Sequence, residues 1–142
     1  VKFMLDKSIN FSHTTYQIIN DKNEFLSLRK ARNFFSIKDL IKSCDIGLST
    51  VLLKKEILGS NKFSDLKTKE DFVLWLKLIS SNTKLYGLDE ELALWRKTNN
   101  SLSSSSFQKI IDGFRVYNVY MKYNIIKSLY YLLYLSINFL KK

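Results

Sequence analysis

The residues best suited to chemistry are two adjacent carboxylates, Glu70 and Asp71, in the segment TKEDFVLWLKL. They directly precede an apolar run, so they fall at the predicted start of a helix, where free backbone N–H groups stabilise negative charge. A carboxylate in such a place can act as a general base and take the proton from an attacking hydroxyl. The spacing from Thr68 to Asp71 is equally typical of a capping box, with Asp71 at the third helical position. Caps are far commoner than catalytic bases, so these residues alone favour the cap.

The element that must position these carboxylates is a helix predicted over residues 68–80. Phe72, Trp75, Leu76 and Ile79 recur at the i, i+3, i+4, i+7 spacing of one helix face. This pattern predicts that the face is buried. It also assigns Trp75 to the core, although an indole could instead stack on a sugar ring.

Length and composition indicate one globular domain without a structural metal or disulfide. The chain has 142 residues, of which 46% are hydrophobic and 25% charged. No apolar run is long enough for a conventional transmembrane helix. A single cysteine, Cys44, excludes an internal disulfide, and with the single histidine, His13, it leaves too few ligands for zinc. We therefore predict a reducing, cytoplasmic environment, no metal site, and an ordinary strand role for His13.

The formal net charge of +10 raises the question of a nucleic-acid partner. Nearly all the basic residues are scattered lysines, whereas planar recognition of phosphates and bases favours arginine. Nucleic acid is therefore a minor possibility among the partners.

Around the carboxylate-bearing helix, periodicity and turn residues predict a mixture of strands and helices. We predict a strand over 9–19, a turn over 20–23 and a helix from the cap Ser36. We further predict a buried strand in IGLSTVLLKK and loops over 59–68 and 98–106. The segment KLYGLDEELALWRK is ambiguous, because its residues favour a helix but it is short and contains a glycine.

The tail after residue 106 differs in character from the rest of the chain. No acidic residue follows Asp112, whereas five basic residues do, and they are interleaved with tyrosines. We predict two amphipathic helices, with a break near Tyr123 and Asn124. Tyrosine-rich, lysine-bearing helices suit a membrane interface, but packing on the domain or on another subunit is an equal alternative.

The ordered set of segments INFSHTTYQIIND, CDIGLSTVLLKKEIL, TKEDFVLWLKLI and LYGLDEELALWRKTNNSLS, followed by a basic aromatic tail, resembles a known family. It is similar to the C-terminal half of bacterial family 2 glycosyltransferases, which build lipopolysaccharide, capsule and teichuronic-type polymers. The resemblance implies an α/β fold, with a partial GT-A-like mixed sheet and flanking helices. Residues 1–106 would form the C-terminal half of that domain, and residues 107–142 the helical tail. The resemblance also favours an extended conformation for the LALWR segment.

The resemblance further implies a nucleotide-sugar donor and a divalent metal, Mg or Mn, held on its diphosphate by an Asp-x-Asp motif. This chain contains no Asp-x-Asp, so the metal ligands are expected outside it. The chain is accordingly expected to be the acceptor-side half of the enzyme and to be inactive alone.

Specific roles follow from the resemblance, residue by residue. Asp71 matches the catalytic base, and Glu70 would orient it or contact the acceptor. Arg96 corresponds to an arginine close to the donor diphosphate, while Ser49 and Thr50 would offer hydroxyls to an acceptor sugar. On the residues alone, Arg96 is a surface charge, and Ser49 and Thr50 have local backbone or strand roles.

Two classes of function therefore remain open. The first is a glycosyltransferase that moves a sugar to a cell-surface glycan or a polyprenyl-linked acceptor, held peripherally at the inner face of the cell membrane. The second is a non-enzymatic module that binds an anionic membrane surface or a partner protein through the C-terminal helices.

Overall fold

The computed structural model describes residues 1–98 and 105–140, and it shows a mixed α/β fold with a four-stranded sheet. The elements in chain order are α1 (Lys2–Asp6), β1 (Phe11–Ile19), β2 (Phe25–Arg29), α2 (Ile37–Leu40), a 3₁₀ turn (Leu48–Thr50), β3 (Leu52–Leu53), α3 (Lys55–Leu58), α4 (Glu70–Ser80), β4 (Tyr86–Arg96), α5 (Ser106–Arg115), a π-helical turn (Val116–Tyr120) and α6 (Ile125–Leu140). The predicted α/β class is confirmed. The loop predicted over residues 98–106 lies mostly outside the described residues.

β1 is the central strand of the sheet. β4 runs parallel to it along its length, from the pair Ser12–Tyr86 to the pair Ile19–Arg96. The other edge of β1 pairs antiparallel with β2 towards its end and with β3 at its beginning. The predicted strand over 9–19 and the turn after it are both confirmed. In that turn, the Asn20 side chain accepts hydrogen bonds from backbone N–H groups.

β4 is extended, as the resemblance implied and against the helix-forming character of its residues. Pairing with β1 satisfies its backbone, and side chains add to this pairing: Thr15 donates to Asp89 at 2.6 Å, and Gln17 donates to Glu91. Tertiary contacts of this kind override local propensity.

The buried strand predicted in IGLSTVLLKK is largely wrong. Residues Leu48–Thr50 form a 3₁₀ turn, in which the Thr50 hydroxyl donates to the Gly47 carbonyl at 2.7 Å. Only Leu52 and Leu53 form a strand, and the Leu52 side chain is 40% exposed. A local side-chain hydrogen bond has closed the turn where β-branched and apolar residues favoured an extended chain.

α4 lies at the centre of the hydrophobic core. The four residues predicted to face inward, Phe72, Trp75, Leu76 and Ile79, are all buried. Val73, Leu74 and Leu78 are buried as well, so the helix is covered on nearly every side. The predicted core role of Trp75 is confirmed, and its ring packs on Phe11 of β1.

α5, the π-helical turn and α6 pack against the same core. Tyr117 is fully buried, and its hydroxyl donates to the Ile41 carbonyl at 2.7 Å. Val116 and Leu135 join the buried cluster around Phe72, so the core extends across residue 106. The predicted break near Tyr123 and Asn124 is confirmed by the short segment between the π-helical turn and α6.

Candidate active site

Asp71 is the second residue of α4 and is half-buried. The helix begins directly after Lys69, whose backbone has the left-handed conformation, with φ 65° and ψ 18°. The Asp71 carboxylate accepts a hydrogen bond of 2.7 Å from the N–H of Phe72, one of the donors that the helix start leaves free. Glu70 precedes it and is also half-buried.

The capping box predicted from Thr68 to Asp71 is wrong. The backbone N–H and the hydroxyl of Thr68 both donate to one carboxylate oxygen of Asp112 in α5, each at 2.9 Å. Asp112 is fully buried and therefore competes successfully for these donors. The start of α4 is consequently tied to α5, and the Asp71 carboxylate is not reached by the Thr68 hydroxyl.

The environment of Asp71 favours its protonated form more than water does. Burial is the largest cause and the negative charge of Glu70 adds to it, and together they raise the pKa of Asp71 from 3.8 to about 6. The Phe72 N–H and the positive charge of Lys69 oppose this shift only in part. A carboxylate with a pKa near neutrality is a stronger proton acceptor and is still mostly ionised at pH 7.

Tyr16 of β1 lies within electrostatic range of Asp71. Burial is the main cause that raises the pKa of Tyr16 to about 12, with contributions from Cys44 and from the negative charge of Asp71. A Cβ on Gly47 would lie 2.9 Å from Cε1 of the Tyr16 ring, nearer than such atoms approach in proteins. Glycine therefore lets the turn that contains Thr50 pack against Tyr16.

The two side-chain hydroxyls that are predicted to contact the acceptor sugar differ in their surroundings. Thr50 is buried and its hydroxyl is bonded to Gly47, whereas Ser49 is exposed. The segment packs on Tyr16, and of these two residues only Ser49 is exposed to solvent. A role in acceptor binding stays a prediction for both residues.

Arg96 holds the turn between β1 and β2. Its guanidinium donates to the Asn20 carbonyl at 2.9 Å and to the Asn23 side chain at 2.8 Å. Arg96 pairs with Ile19, which lies about 10 Å along β1 from Tyr16. The predicted contact with a donor diphosphate stays a prediction, and the described contacts of this side chain are structural.

The sequence correctly assigned His13 to a strand. His13 is fully buried, and its Nε2 lies 2.8 Å from the Arg32 carbonyl.

The sequence did not predict Tyr16 as part of the candidate site. Nothing local marks Tyr16, because the residues that make it notable, Asp71 and Gly47, come from later segments of the chain. Its place in the alternating pattern of β1 was the only available signal.

The described residues do not offer a metal centre. Within residues 1–98 and 105–140, no group of three or more histidine, cysteine, aspartate or glutamate side chains could hold a metal ion. This donor set does not fit the divalent metal that the resemblance implies. Among the same residues, no helix combines the length and apolar character needed to cross a membrane.

Comparison with characterised and named proteins relates the chain to glycosyltransferases. No family model matches it. Several individual proteins do, and all those compared below are named as glycosyltransferases. The chain is thus similar to proteins of the sugar-transferring class.

The particular relatives come from three bacteria. A Bacillus subtilis protein named as a teichuronic acid biosynthesis glycosyltransferase, TuaG, is 27% identical over 143 aligned positions, which cover 100% of this chain and 57% of the relative. The Escherichia coli enzyme WfgD, named UDP-Glc:alpha-D-GlcNAc-diphosphoundecaprenol beta-1,3-glucosyltransferase, is 28% identical over 94% of this chain and 52% of its own length. A Rickettsia felis protein named as an uncharacterised glycosyltransferase is 33% identical over 66% of the chain and 16% of its own length. The chain thus spans about half the length of TuaG and WfgD.

Proposed function

We propose that this chain is the acceptor-side part of a GT-A glycosyltransferase, in which Asp71 is the general base. The reaction would move a sugar from a nucleotide-sugar donor to a cell-surface glycan or lipid-linked acceptor. The relationship to TuaG and WfgD supports this substrate class. The observation that carries the assignment is the half-buried Asp71 carboxylate, with a pKa of about 6, at the start of α4.

In the proposed reaction, Asp71 takes the proton of an acceptor hydroxyl while that oxygen bonds to the anomeric carbon of the donor sugar. The bond from this carbon to the diphosphate oxygen breaks, and the nucleoside diphosphate leaves with the electron pair. Burial first, and then the negative charge of Glu70, keep the pKa of Asp71 raised. Tyr16 and the turn from Gly47 would form the adjacent wall, where the exposed Ser49 would face the acceptor and the buried Thr50, bonded to Gly47, would hold the turn.

A divalent metal on the donor diphosphate would stabilise the leaving group, as the resemblance implies. Its ligands would lie outside the described residues of this chain, so the role assigned to Asp71 does not depend on it. Arg96 remains a candidate for contact with the same diphosphate.

The test is the rate of sugar transfer by Asp71→Asn in an enzyme that contains this chain and a donor-binding half. Asparagine keeps the size and the hydrogen bond from Phe72, but it cannot take the proton. We expect the rate to fall roughly 10²–10⁴-fold, the usual contribution of a general base.

Thr68→Ala is the matched control, because it disturbs the same helix start without touching the carboxylate. We expect it to lower the rate less than about tenfold, in keeping with the loss of one hydrogen bond. A near-normal transfer rate in Asp71→Asn, or equal losses of rate in the two variants, would refute the assignment of Asp71 as the general base.

A second candidate function, binding to an anionic membrane surface, is favoured by the exposed side of α6. We define the α6 stripe as its exposed apolar and aromatic side chains at helical spacing: Ile126, Leu129, Tyr130, Leu133, Tyr134 and Ile137. The exposed lysines Lys122 and Lys127 lie nearby, and no acidic residue follows Asp112. Such a surface would hold the enzyme peripherally at the inner face of the cell membrane.

Co-sedimentation of the chain with phosphatidylserine-containing vesicles tests this second candidate. Leu133→Glu should weaken binding at least several-fold, because it places a charge in the α6 stripe. Leu92→Glu is the control, since Leu92 of β4 is similarly exposed, at 63% against 59% for Leu133. Equal binding by the two variants would exclude the α6 stripe as the membrane contact.

A further inference from the structure

The start of α4 is held by a contact with α5, which lies 44 residues further along the chain. Thr68 donates two hydrogen bonds of 2.9 Å to the same carboxylate oxygen of Asp112, one from its backbone N–H and one from its hydroxyl. Both residues are buried. Because one of the two donors is the backbone itself, the contact fixes the main chain at residue 68 and not only a side chain.

Only Lys69 separates this contact from α4, which begins at Glu70. The backbone of Lys69 is left-handed, with φ 65°, a conformation that costs free energy for a residue other than glycine. The Lys69 side chain lies along α5, with its Cε 3.6 Å and its Cδ 4.0 Å from the position that a Cβ on Gly113 would occupy. Two neighbouring residues of α5, Asp112 and Gly113, therefore contact the two residues that lead into α4.

The surroundings of Asp71 depend on how the chain enters α4. Burial makes the largest contribution to the raised pKa of Asp71, the charge of Glu70 adds to it, and the charge of Lys69 opposes it. Glu70 and Lys69 directly precede Asp71, so the backbone conformation of residues 69–71 decides how close their charges lie to its carboxylate. Tyr16 of β1 also lies within electrostatic range. A displaced helix start would change both the place of Asp71 and its affinity for a proton.

We propose that Asp112 is a positioning residue for Asp71. By holding Thr68, it keeps the Asp71 carboxylate where it can take the proton of an acceptor hydroxyl. The role of Asp71 as the base comes from the proposed function, on which this inference rests. A catalytic group displaced by about 1 Å can lose roughly 10²-fold in rate, so a residue that fixes its place contributes to catalysis through it.

The test compares two substitutions that each remove one buried hydroxyl. Thr68→Val keeps the β-branched shape and removes the hydroxyl bond to Asp112. Tyr117→Phe is the matched control, because it removes the 2.7 Å bond from the Tyr117 hydroxyl to the Ile41 carbonyl, which also ties the tail to the rest of the chain. We expect similar losses of stability in the two variants. A difference between them in the behaviour of Asp71 is then specific to the helix start.

The first measurement is a ¹³C NMR titration of the Asp71 carboxyl in the folded chain, which requires no catalysis. In Thr68→Val we expect the inflection to move down from about pH 6 by about half a pH unit or more, because a looser helix start lets water reach the carboxylate. In Tyr117→Phe it should stay at about pH 6.

The second measurement is sugar transfer by an enzyme that contains this chain and a donor-binding half. Asp112→Ala removes both bonds to Thr68, so we expect kcat to fall about tenfold to a hundredfold, with KM for the nucleotide sugar unchanged. Asp112→Asn keeps an oxygen that can accept both bonds, so it should keep kcat within about threefold and the Asp71 inflection near pH 6. Because Asp112→Ala can unfold the chain, Thr68→Val and Asp112→Asn decide the question without it.

The positioning role is overturned if Thr68→Val leaves the Asp71 inflection where it is, or if Tyr117→Phe shifts it equally. A shift in Asp112→Asn larger than that in Thr68→Val would also overturn it, since the charge of Asp112 and not its hold on Thr68 would then matter. Failure of the proposed base gives a different result, near-normal sugar transfer by Asp71→Asn. The two failures are therefore distinguishable.

Discussion

Asp71, which is half-buried, and Asp112, which is fully buried, both lie at the start of α4, and their environments shift the pKa values of the two carboxyls in opposite directions. Burial and, after it, the charge of Glu70 raise the pKa of Asp71 to about 6, and the backbone N–H groups of Phe72 and Asp71 and the charge of Lys69 oppose this rise only in part. Burial also acts to raise the pKa of Asp112, but donor groups of Gln108 and Thr68 and the charge of Arg115 outweigh it, so that pKa is lowered. Burial alone therefore does not create a base. The number of donors facing the carboxylate decides its role.

The two aspartates therefore have different roles at the start of α4. Asp112 accepts the Thr68 hydrogen bonds and fixes where the helix begins. Asp71, two residues into the helix, is left with a carboxylate that can exchange a proton. The aspartate with the lowered pKa thus holds the helix start on which the aspartate with the raised pKa lies.

The largest expected effect on stability comes from Asp112→Ala. It leaves the buried Thr68 hydroxyl and N–H without their acceptor and removes one of the partners of Arg115. We expect the free energy of unfolding to fall by about 3–5 kcal/mol, the usual cost of breaking a buried charged network. Chemical denaturation measures this change.

Asp65→Ala is the control for Asp112→Ala. Asp65 is also paired with Arg115, at 3.5 Å, but its side chain is exposed. Removing it should change the free energy of unfolding little, because exposed ion pairs contribute little. Similar losses in both variants would mean that Arg115 pairing, and not the buried Thr68 contact, makes Asp112 important.

A smaller change in the free energy of unfolding, of opposite sign, is expected for Asp71→Asn. Because the pKa of Asp71 is raised in the folded state, from 3.8 to about 6, its contribution to stability is full below pH 3.8 and is lost as the pH rises through about 6. Above that pH, Asp71→Asn should be more stable than the unmodified chain, by on the order of 2 kcal/mol.

Denaturation at pH 4 and pH 7.5 measures how the stability difference for Asp71→Asn depends on pH. The gain should be present at the higher pH and nearly absent at the lower. A loss of stability at pH 7.5 would indicate that Asp71 serves the helix as a cap.

The sequence was sufficient for features that depend on local pattern. The spacing of Phe72, Trp75, Leu76 and Ile79 predicted a buried helix face, and Asn20 marked the turn after β1. These features follow from periodicity and from short-range hydrogen bonds, which a single segment contains.

Features that depend on distant segments were not predictable in this way. The start of α4 differs from the prediction because Thr68 bonds to Asp112, which follows much later in the chain. Tyr16 joins the candidate site only because the turn at Gly47 packs on it and Asp71 lies within electrostatic range. Resemblance to a family corrected one such case, β4, where pairing with β1 overrides helix propensity.

The most direct test of Asp71 as a poised base is a ¹³C NMR titration of its carboxyl carbon in the folded chain, with Asp112 observed in the same spectra. The account predicts an inflection for Asp71 at about pH 6 and one for Asp112 below pH 3.8. The signal of Asp71 is assigned by its absence in Asp71→Asn. An Asp71 carboxyl that titrates at or below pH 3.8, like that of Asp112, would contradict the account.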